Sequence, residues 1–133
     1  MKIVLDSNII IAAFISRGLC NEVFEICLSD HDIIISSVML KEISAALLHK
    51  FDFPDDFVQE LHSFLISASN VTRSAKVPKD YCRDADDLEV LGVALASKAD
   101  AIVTGDQDLL VLKKFHSIPI LSPRDFWSFL QKK

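Results

Sequence analysis

The chain has 133 residues, half of them hydrophobic, and its 14 basic and 19 acidic residues give a formal charge of −5. This length fits one domain over residues 1–133, and the apolar content excludes a mainly disordered chain. The acidic balance excludes a protein coated with positive charge for nucleic-acid binding, although it leaves room for a local basic patch.

Apolar residues in the first half of the chain follow two different periods. Continuous β-branched runs predict strands at residues 2–5 and 32–36, and a short stretch around Val71 predicts another. Helical spacing predicts four helices: residues 9–17, residues 19–28, a third helix capped by Ser37 and a fourth that begins at Pro54.

The second half continues the alternation after a loop at residues 73–83. The predicted elements are a helix over residues 88–98, a strand over 101–104, a short helix over 109–114, a strand over 118–121 and a last helix from Pro123. Pro119 indicates that the last strand lies at an edge. Strands that alternate with helices predict an α/β fold with a parallel sheet.

Three cysteines and the absence of a long apolar stretch bear on the compartment. Cys20, Cys27 and Cys82 form no CxxC pair, and an odd number cannot pair completely, so we expect free thiols in a reducing cytosol. No stretch reaches the roughly 18 apolar residues of a membrane span. We therefore expect a cytoplasmic protein that has no membrane contact.

Acidic residues follow the predicted strands or begin the helices after them. They are Asp6, Glu42, Asp84, Asp86, Asp87, Asp106 and Asp108. Each alone is explained as a helix cap or a solvated side chain. However, the carboxyl ends of parallel strands meet at one edge of the sheet, where ligands bind. Carboxylates gathered there repel one another unless a cation neutralises them, and oxygen ligands suit Mg²⁺ or Mn²⁺.

Four short pieces, in this order and spacing, resemble the motifs of the PIN domain family. They are residues 4–8 (VLDSN), residues 41–43 (KEI), Asp87 ahead of residues 94–96 (ALA), and residues 103–106 (VTGD). The resemblance covers nearly the whole chain. It implies a three-layer α/β/α fold with a central parallel sheet of about five strands, and a Mg²⁺- or Mn²⁺-dependent ribonuclease whose products carry 5′-phosphate and 3′-hydroxyl ends.

The resemblance also assigns roles to residues. Asp6, Glu42, Asp87 and Asp106 match the acidic quartet of the family, which binds metal and catalyses hydrolysis, while Asn8 and Thr104 match its supporting polar residues. Two positions depart from the family pattern, since Ser7 replaces a common threonine and Leu88 replaces a frequent aspartate. Asp84 and Asp86 therefore stay open as alternatives for the third acid, and Asp108 is an auxiliary candidate.

Residues 82–87 and 102–110 are similar to one branch of the family, the VapC toxins of bacterial and archaeal toxin–antitoxin pairs. This similarity implies a cognate antitoxin protein with a segment that folds along the toxin surface, and a possible homodimer. Four cations in the loop are candidates for binding RNA, namely Arg73, Lys76, Lys79 and Arg83, and Tyr81 could stack on a base. The alternative is a solvated loop.

Two other functions are weighed against a nuclease. A non-catalytic PIN-like module that binds RNA or protein would keep the fold, but the intact quartet argues against it. A nucleotide-binding or phosphoryl-transfer protein needs a phosphate-binding loop, and the chain has only three glycines with neither GxGxxG nor GxxxxGK[ST].

Overall fold

A computed structural model describes residues 1–132, whose strands form one six-stranded sheet. The strands are β1 (Lys2–Leu5), β2 (Asp32–Ile35), β3 (Asn70–Val71), β4 (Ala101–Val103), β5 (Lys114–Phe115) and β6 (Ile118–Leu121). Their spatial order is β3-β2-β1-β4-β6-β5, and every neighbouring pair is parallel except β5 with β6. The expected mostly parallel sheet is confirmed, with six strands instead of about five.

Seven α-helices connect and cover these strands. They are α1 (Ser7–Ile15), α2 (Leu19–Asp30), α3 (Ser37–Ala45), α4 (Asp55–Ala68), α5 (Ala85–Ser97), α6 (Gln107–Leu110) and α7 (Pro123–Gln131). A π-helical turn, Ala46–Lys50, prolongs α3, and a 3₁₀ turn, Lys79–Tyr81, interrupts the loop before α5. Among residues 1–132, no helix combines the length and apolar character needed to cross a membrane.

The central strands are buried on both faces of the sheet. Ile3, Val4 and Leu5 of β1 are completely buried, as are all three residues of β4. Because successive residues of a strand point to opposite faces, helices must cover the sheet on both sides. This burial confirms the α/β/α layering and explains why the strands read as continuous apolar runs.

The sequence does not predict β5, and the expectation that residues 118–121 form an edge strand is wrong. Pro119 predicts an edge strand, but β6 lies between β4 and β5. The proline costs β6 no hydrogen bond to β5, because the donor on that side is the Ile120 N–H, which donates to the carbonyl of Lys113 at 2.9 Å. β5 has only two residues, too few for a periodic signal.

Three helices begin earlier than predicted, each directly after an acidic residue. α1 begins at Ser7 instead of residue 9, α5 at Ala85 instead of 88, and α6 at Gln107 instead of 109. The third helix does not take its cap from Ser37, since Ser36 Oγ accepts the N–H of Met39 at 3.1 Å. The acids therefore lie at helix N-termini and not in extended loops.

Gly92 of α5 holds the preceding loop close to the helix. Its carbonyl accepts the N–H of Ala75 at 2.9 Å, and a Cβ atom at this position would collide with the carbonyl oxygen of Ala75. Only glycine permits this approach. As a result, the loop that carries the predicted RNA-binding cations is tied to the helix that carries Asp87.

Candidate functional site

The ends of β1 and β4 bring two distant parts of the chain together. Asp6 follows β1, and its N–H donates to the carbonyl of Val103 at 2.9 Å. Thr104, which follows β4, is completely buried. The carboxyl edge of the sheet therefore holds these two polar side chains next to each other.

Thr104 connects two of the acidic residues through its hydroxyl. Thr104 Oγ1 donates to Asp6 Oδ2 at 2.7 Å and accepts the N–H of Asp106 at 3.0 Å. The hydroxyl therefore fixes the orientation of the Asp6 carboxylate and the position of the Asp106 main chain together.

Three carboxylates converge beside this connection. Asp87, Asp106 and Asp108 each offer one oxygen, and these three oxygens all lie within 4.8 Å of one another. Asp106 Oδ1 also accepts the N–H of Asp108 at 2.9 Å, so Asp106 caps α6 and fixes Asp108 in its first turn. We call Asp87, Asp106 and Asp108 the acidic cluster.

Asp87 is the most deeply placed member of the acidic cluster. Its exposed fraction is 4%, and its Oδ2 atom is buried with no hydrogen-bond partner among the described residues. A buried carboxylate oxygen without a partner is energetically costly. A proton or a cation at this oxygen would remove that cost.

Burial and mutual repulsion raise the pKa of several of these acids. Burial, together with the neighbouring carboxyl of Asp106, raises the pKa of Asp87 to about 7. Burial also raises the pKa of Asp6, against the hydrogen bond from Thr104 and with a smaller contribution from the charge of Asp106. Burial and charge repulsion therefore disfavour the state in which all carboxylates of the site are charged.

Glu42 of α3 lies on the β2 side of Asp6. Burial raises the pKa of its half-buried carboxyl, the Ser7 hydroxyl partly opposes that shift, and the carboxyls of Asp86 and Asp6 add to it. Ser7 Oγ is itself buried beside this carboxyl. Asn8 is exposed and lines a groove together with Glu42. Glu42 is thus close enough to Asp6 to interact electrostatically, but it is not a member of the acidic cluster.

The two alternatives for the third acid occupy other positions. Asp84 caps α5, since its Oδ1 accepts the N–H of Asp86 at 2.9 Å, and both side chains are exposed. The carboxyl of Asp86 adds to the raised pKa of Glu42, whereas the carboxyl of Asp87 interacts with that of Asp106. The geometry therefore brings Asp87, and neither alternative, into the acidic cluster.

Asp108, predicted only as an auxiliary candidate, offers an oxygen that lies within 4.8 Å of oxygens of both Asp87 and Asp106. The sequence indicates Asp108 only through its position two residues after Asp106. Its place in the acidic cluster results from the start of α6 at Gln107. Arg83 Nη2 donates to both oxygens of Asp108, at 3.0 and 3.2 Å. One of the four predicted RNA-binding cations therefore lies at the rim of the acidic cluster.

The other three cations, Arg73, Lys76 and Lys79, are exposed along the same loop. Lys79, Tyr81 and Arg83 line a hollow of about 320 Å³ that also reaches Asp108. The loop therefore presents positive charge next to the acidic cluster.

Comparisons with known proteins agree with this architecture. The model of the PIN domain matches residues 2–108, which is most of the chain. No curated protein matches. Among solved structures, a chain in the crystal structure of VapBC2 from Rickettsia felis bound to a DNA fragment from their promoter matches with a TM-score of 0.65 and 20% identity, over 92% of this chain and 98% of that one. PIN domains are in general metal-dependent nucleases. The chain belongs to the PIN domain family.

Proposed function

We propose that the chain is a metal-dependent endoribonuclease that hydrolyses RNA phosphodiester bonds. The observation that carries this proposal is the acidic cluster, where three carboxylate oxygens lie within 4.8 Å of one another and a buried Asp87 oxygen has no partner. Together with the family, this arrangement supports hydrolysis over binding alone. We further propose that residues 1–133 act as one domain in the cytoplasm.

The donor atoms fit a hard divalent cation. All of them are carboxylate oxygens, which Mg²⁺ and Mn²⁺ prefer over softer metals. Asp87 and Asp106 would hold the cation, with Asp6 and Asp108 completing its surroundings, and Glu42 would hold a second cation or orient a water molecule. The unpartnered Oδ2 of Asp87 supports this assignment, because a cation would remove the cost of its burial.

A divalent cation in this site supplies Lewis acidity, which eases the deprotonation of water and stabilises negative charge on the phosphate. Thr104 holds Asp6 in one orientation through its 2.7 Å hydrogen bond. Glu42 accepts a hydrogen bond from the attacking water. The water gives one proton to Glu42 as its oxygen bonds to phosphorus, and the bond from phosphorus to the 3′-oxygen breaks. The 3′-oxygen takes a proton from solvent, which leaves 5′-phosphate and 3′-hydroxyl ends.

RNA reaches this acidic site through the neighbouring loop. Lys76, Lys79 and Arg73 are exposed and offset the local negative charge. Arg83 is held at the rim by Asp108, and its side chain is still 88% exposed. The places of Lys79 and Arg83 beside Asp108 support the proposal that the end of the loop binds RNA phosphates on the β4 side of the acids.

A protein partner is also proposed. The similarity of residues 82–87 and 102–110 to VapC toxins, and the likeness of the fold to a VapBC2 chain, support a role as the toxin of a type II toxin–antitoxin pair. The partner would be a cognate antitoxin, and the chain would form a homodimer.

The test is cleavage of a labelled RNA mixture in Mn²⁺ by wild type, Asp6→Asn and Asp56→Asn, purified identically. Asp56 is an exposed residue in the first turn of α4 and serves as the matched control. We expect cleavage by wild type and Asp56→Asn, loss of cleavage with chelator, and a folded but inactive Asp6→Asn protein. Cleavage by a folded Asp6→Asn protein at the wild-type rate would contradict the proposal. A folded wild type that neither cleaves RNA nor binds Mn²⁺ would favour the non-catalytic module.

A further inference from the structure

A groove of about 360 Å³ begins at Glu42 and runs between α1 and the end of α3. α3 follows β2, whereas α6 follows β4, and β1 lies between these two strands. The groove therefore lies on the opposite side of Asp6 from Asp108 and from Arg83, which ends the basic loop. A strand of RNA that crosses the acids from the loop would continue towards this groove.

The lining of the groove combines three kinds of chemistry. Its apolar wall includes Ile11 and Ile15, its rim carries the amide of Asn8 and the ammonium of Lys50, and Phe51 is 36% exposed. Lys50 Nζ lies 5.9 Å from the centre of the Phe51 ring. An aromatic ring, a cation and an amide suit a base, a phosphate and a base edge respectively.

The backbone at the end of α3 departs from regular helix where Lys50 and Phe51 occur. The π-helical turn Ala46–Lys50 ends with the Phe51 N–H donating to the carbonyl of Ala46 at 3.1 Å. Asp52 then adopts the left-handed region with a φ of 57°. π-Helical turns and strained non-glycine residues occur often at functional sites. Here they place a lysine and a phenylalanine beside Glu42.

We propose that this groove binds the nucleotide on the β2 side of the scissile phosphate in single-stranded RNA. Phe51 contacts the base, Lys50 binds its phosphate, and the Asn8 amide hydrogen-bonds to the base edge. Charge favours this occupant, because the Lys50 ammonium at the rim suits a phosphate of the RNA strand that reaches the acids at the inner end of the groove. The inference rests on the proposed function and adds a base-binding subsite to it.

The test measures RNA binding without cleavage. Fluorescence anisotropy with a short mixed-sequence single-stranded RNA in Mn²⁺ compares the Asp6→Asn protein with the same protein carrying Phe51→Ala, Lys50→Ala or Phe64→Ala. Phe64 is an exposed phenylalanine of α4 outside the groove and serves as the control. We expect about tenfold weaker binding for Phe51→Ala and Lys50→Ala, and about unchanged binding for Phe64→Ala.

Phe51→Trp separates stacking from a structural role. Tryptophan keeps an aromatic face, so we expect Phe51→Trp to bind RNA about as well as the Asp6→Asn background. RNA that carries 5-iodouridine should crosslink at Phe51 on irradiation. Equal affinity of all variants, or a tryptophan variant as weak as the alanine one, would overturn the inference.

Cleavage by the otherwise wild-type protein separates this inference from the proposed function. If wild type cleaves RNA and Phe51→Ala cleaves it with an unchanged KM, the subsite is wrong and the nuclease stands. If wild type never cleaves RNA but binding still requires the Phe51 ring, the subsite stands and the catalytic proposal is wrong.

Discussion

The two ends of the central sheet both carry aspartates, but only the carboxyl end holds a buried aspartate oxygen that has no partner among the described residues. At the amino end, Asp100 Oδ2 accepts the N–H of Lys2 at 2.8 Å, and the Asp100 N–H donates to the carbonyl of Lys2 at 2.7 Å. This carboxylate is exposed and paired with the main chain. At the carboxyl end, Asp87 is buried and one of its oxygens has no partner in the described chain.

This contrast separates a structural aspartate from one retained for another purpose. Asp100 joins β4 to β1 and contributes to stability in the ordinary way. The acids at the carboxyl end repel one another and lower the stability of the metal-free fold. A fold retains such groups where function needs them.

The largest effect is expected when an aspartate of each end is replaced in turn. Asp87→Asn should lower the rate of RNA cleavage roughly 100-fold or more, because an amide replaces a carboxylate that holds the cation. Asp100→Asn should cleave at about the wild-type rate, because an amide oxygen can still accept the N–H of Lys2. Single-turnover cleavage in Mn²⁺ measures both. Similar losses in the two variants would contradict the division of the sheet into two ends.

Thr104→Val should have the next largest effect. The substitution keeps the shape of the side chain but removes the hydroxyl that orients Asp6 and accepts the Asp106 N–H. We expect a roughly 10- to 100-fold loss of cleavage rate or of Mn²⁺ affinity. Thr104→Ser keeps the hydroxyl and should restore most of it. If serine restores nothing, the methyl group matters more than the hydrogen bonds.

Asp87→Asn should stabilise the metal-free protein although it inactivates the enzyme. The pKa of Asp87 is raised to about 7 in the folded protein, above the roughly 3.9 of an unfolded aspartate. Stability from this group is therefore complete below pH 4 and is lost as the pH rises through 7. In chelator at pH 8, Asp87→Asn should gain roughly 1 kcal/mol after allowance for solvent screening. Thermal unfolding checks this.

The pH dependence and added Mn²⁺ provide the controls for that prediction. The advantage of Asp87→Asn should shrink as the pH falls towards 4, and Mn²⁺ should stabilise wild type more than the variant. An advantage that is the same at every pH would mean that charge repulsion is not its cause.

The smallest effect is expected from the exposed lysines of the two ends. Lys76→Gln with Lys79→Gln should weaken RNA binding and lower the slope of log affinity against log salt by about 1.4, if each lysine contacts one phosphate. Lys2→Gln with Lys98→Asn removes two exposed lysines of the amino end and should leave the slope unchanged. Salt titrations of RNA binding compare the pairs. Equal slopes for both pairs would remove the loop from the RNA path.

The sequence was sufficient to predict the parallel sheet and the edge at which the acids gather. Residues 3–5, 33–35 and 101–103 are apolar runs, so the strands could be predicted from local patterns. Asp6 follows the first run directly, Asp106 comes three residues after the third, and Glu42 lies on the helix after the second. The resemblance to PIN domains, now confirmed by the family match, added the reaction class.

The sequence was not sufficient to choose among neighbouring acids. Asp84, Asp86 and Asp87 differ only in their angle around the first turn of α5, and a helix start misplaced by three residues changes which one faces inward. Asp108 shows the same problem, since its place beside Asp106 depends on α6 beginning at Gln107. The assignment of catalytic and metal-binding roles to these residues stays a prediction.

The measurement that tests the central claim most directly is Mn²⁺ binding, followed by the electron paramagnetic resonance signal of the free ion. Wild type, Asp87→Asn and Asp100→Asn are titrated side by side, without RNA. We predict that wild type and Asp100→Asn bind Mn²⁺ alike and that Asp87→Asn binds it roughly 10- to 100-fold more weakly. Equal affinity in all three proteins, or no binding by wild type, would contradict a metal centre in the acidic cluster.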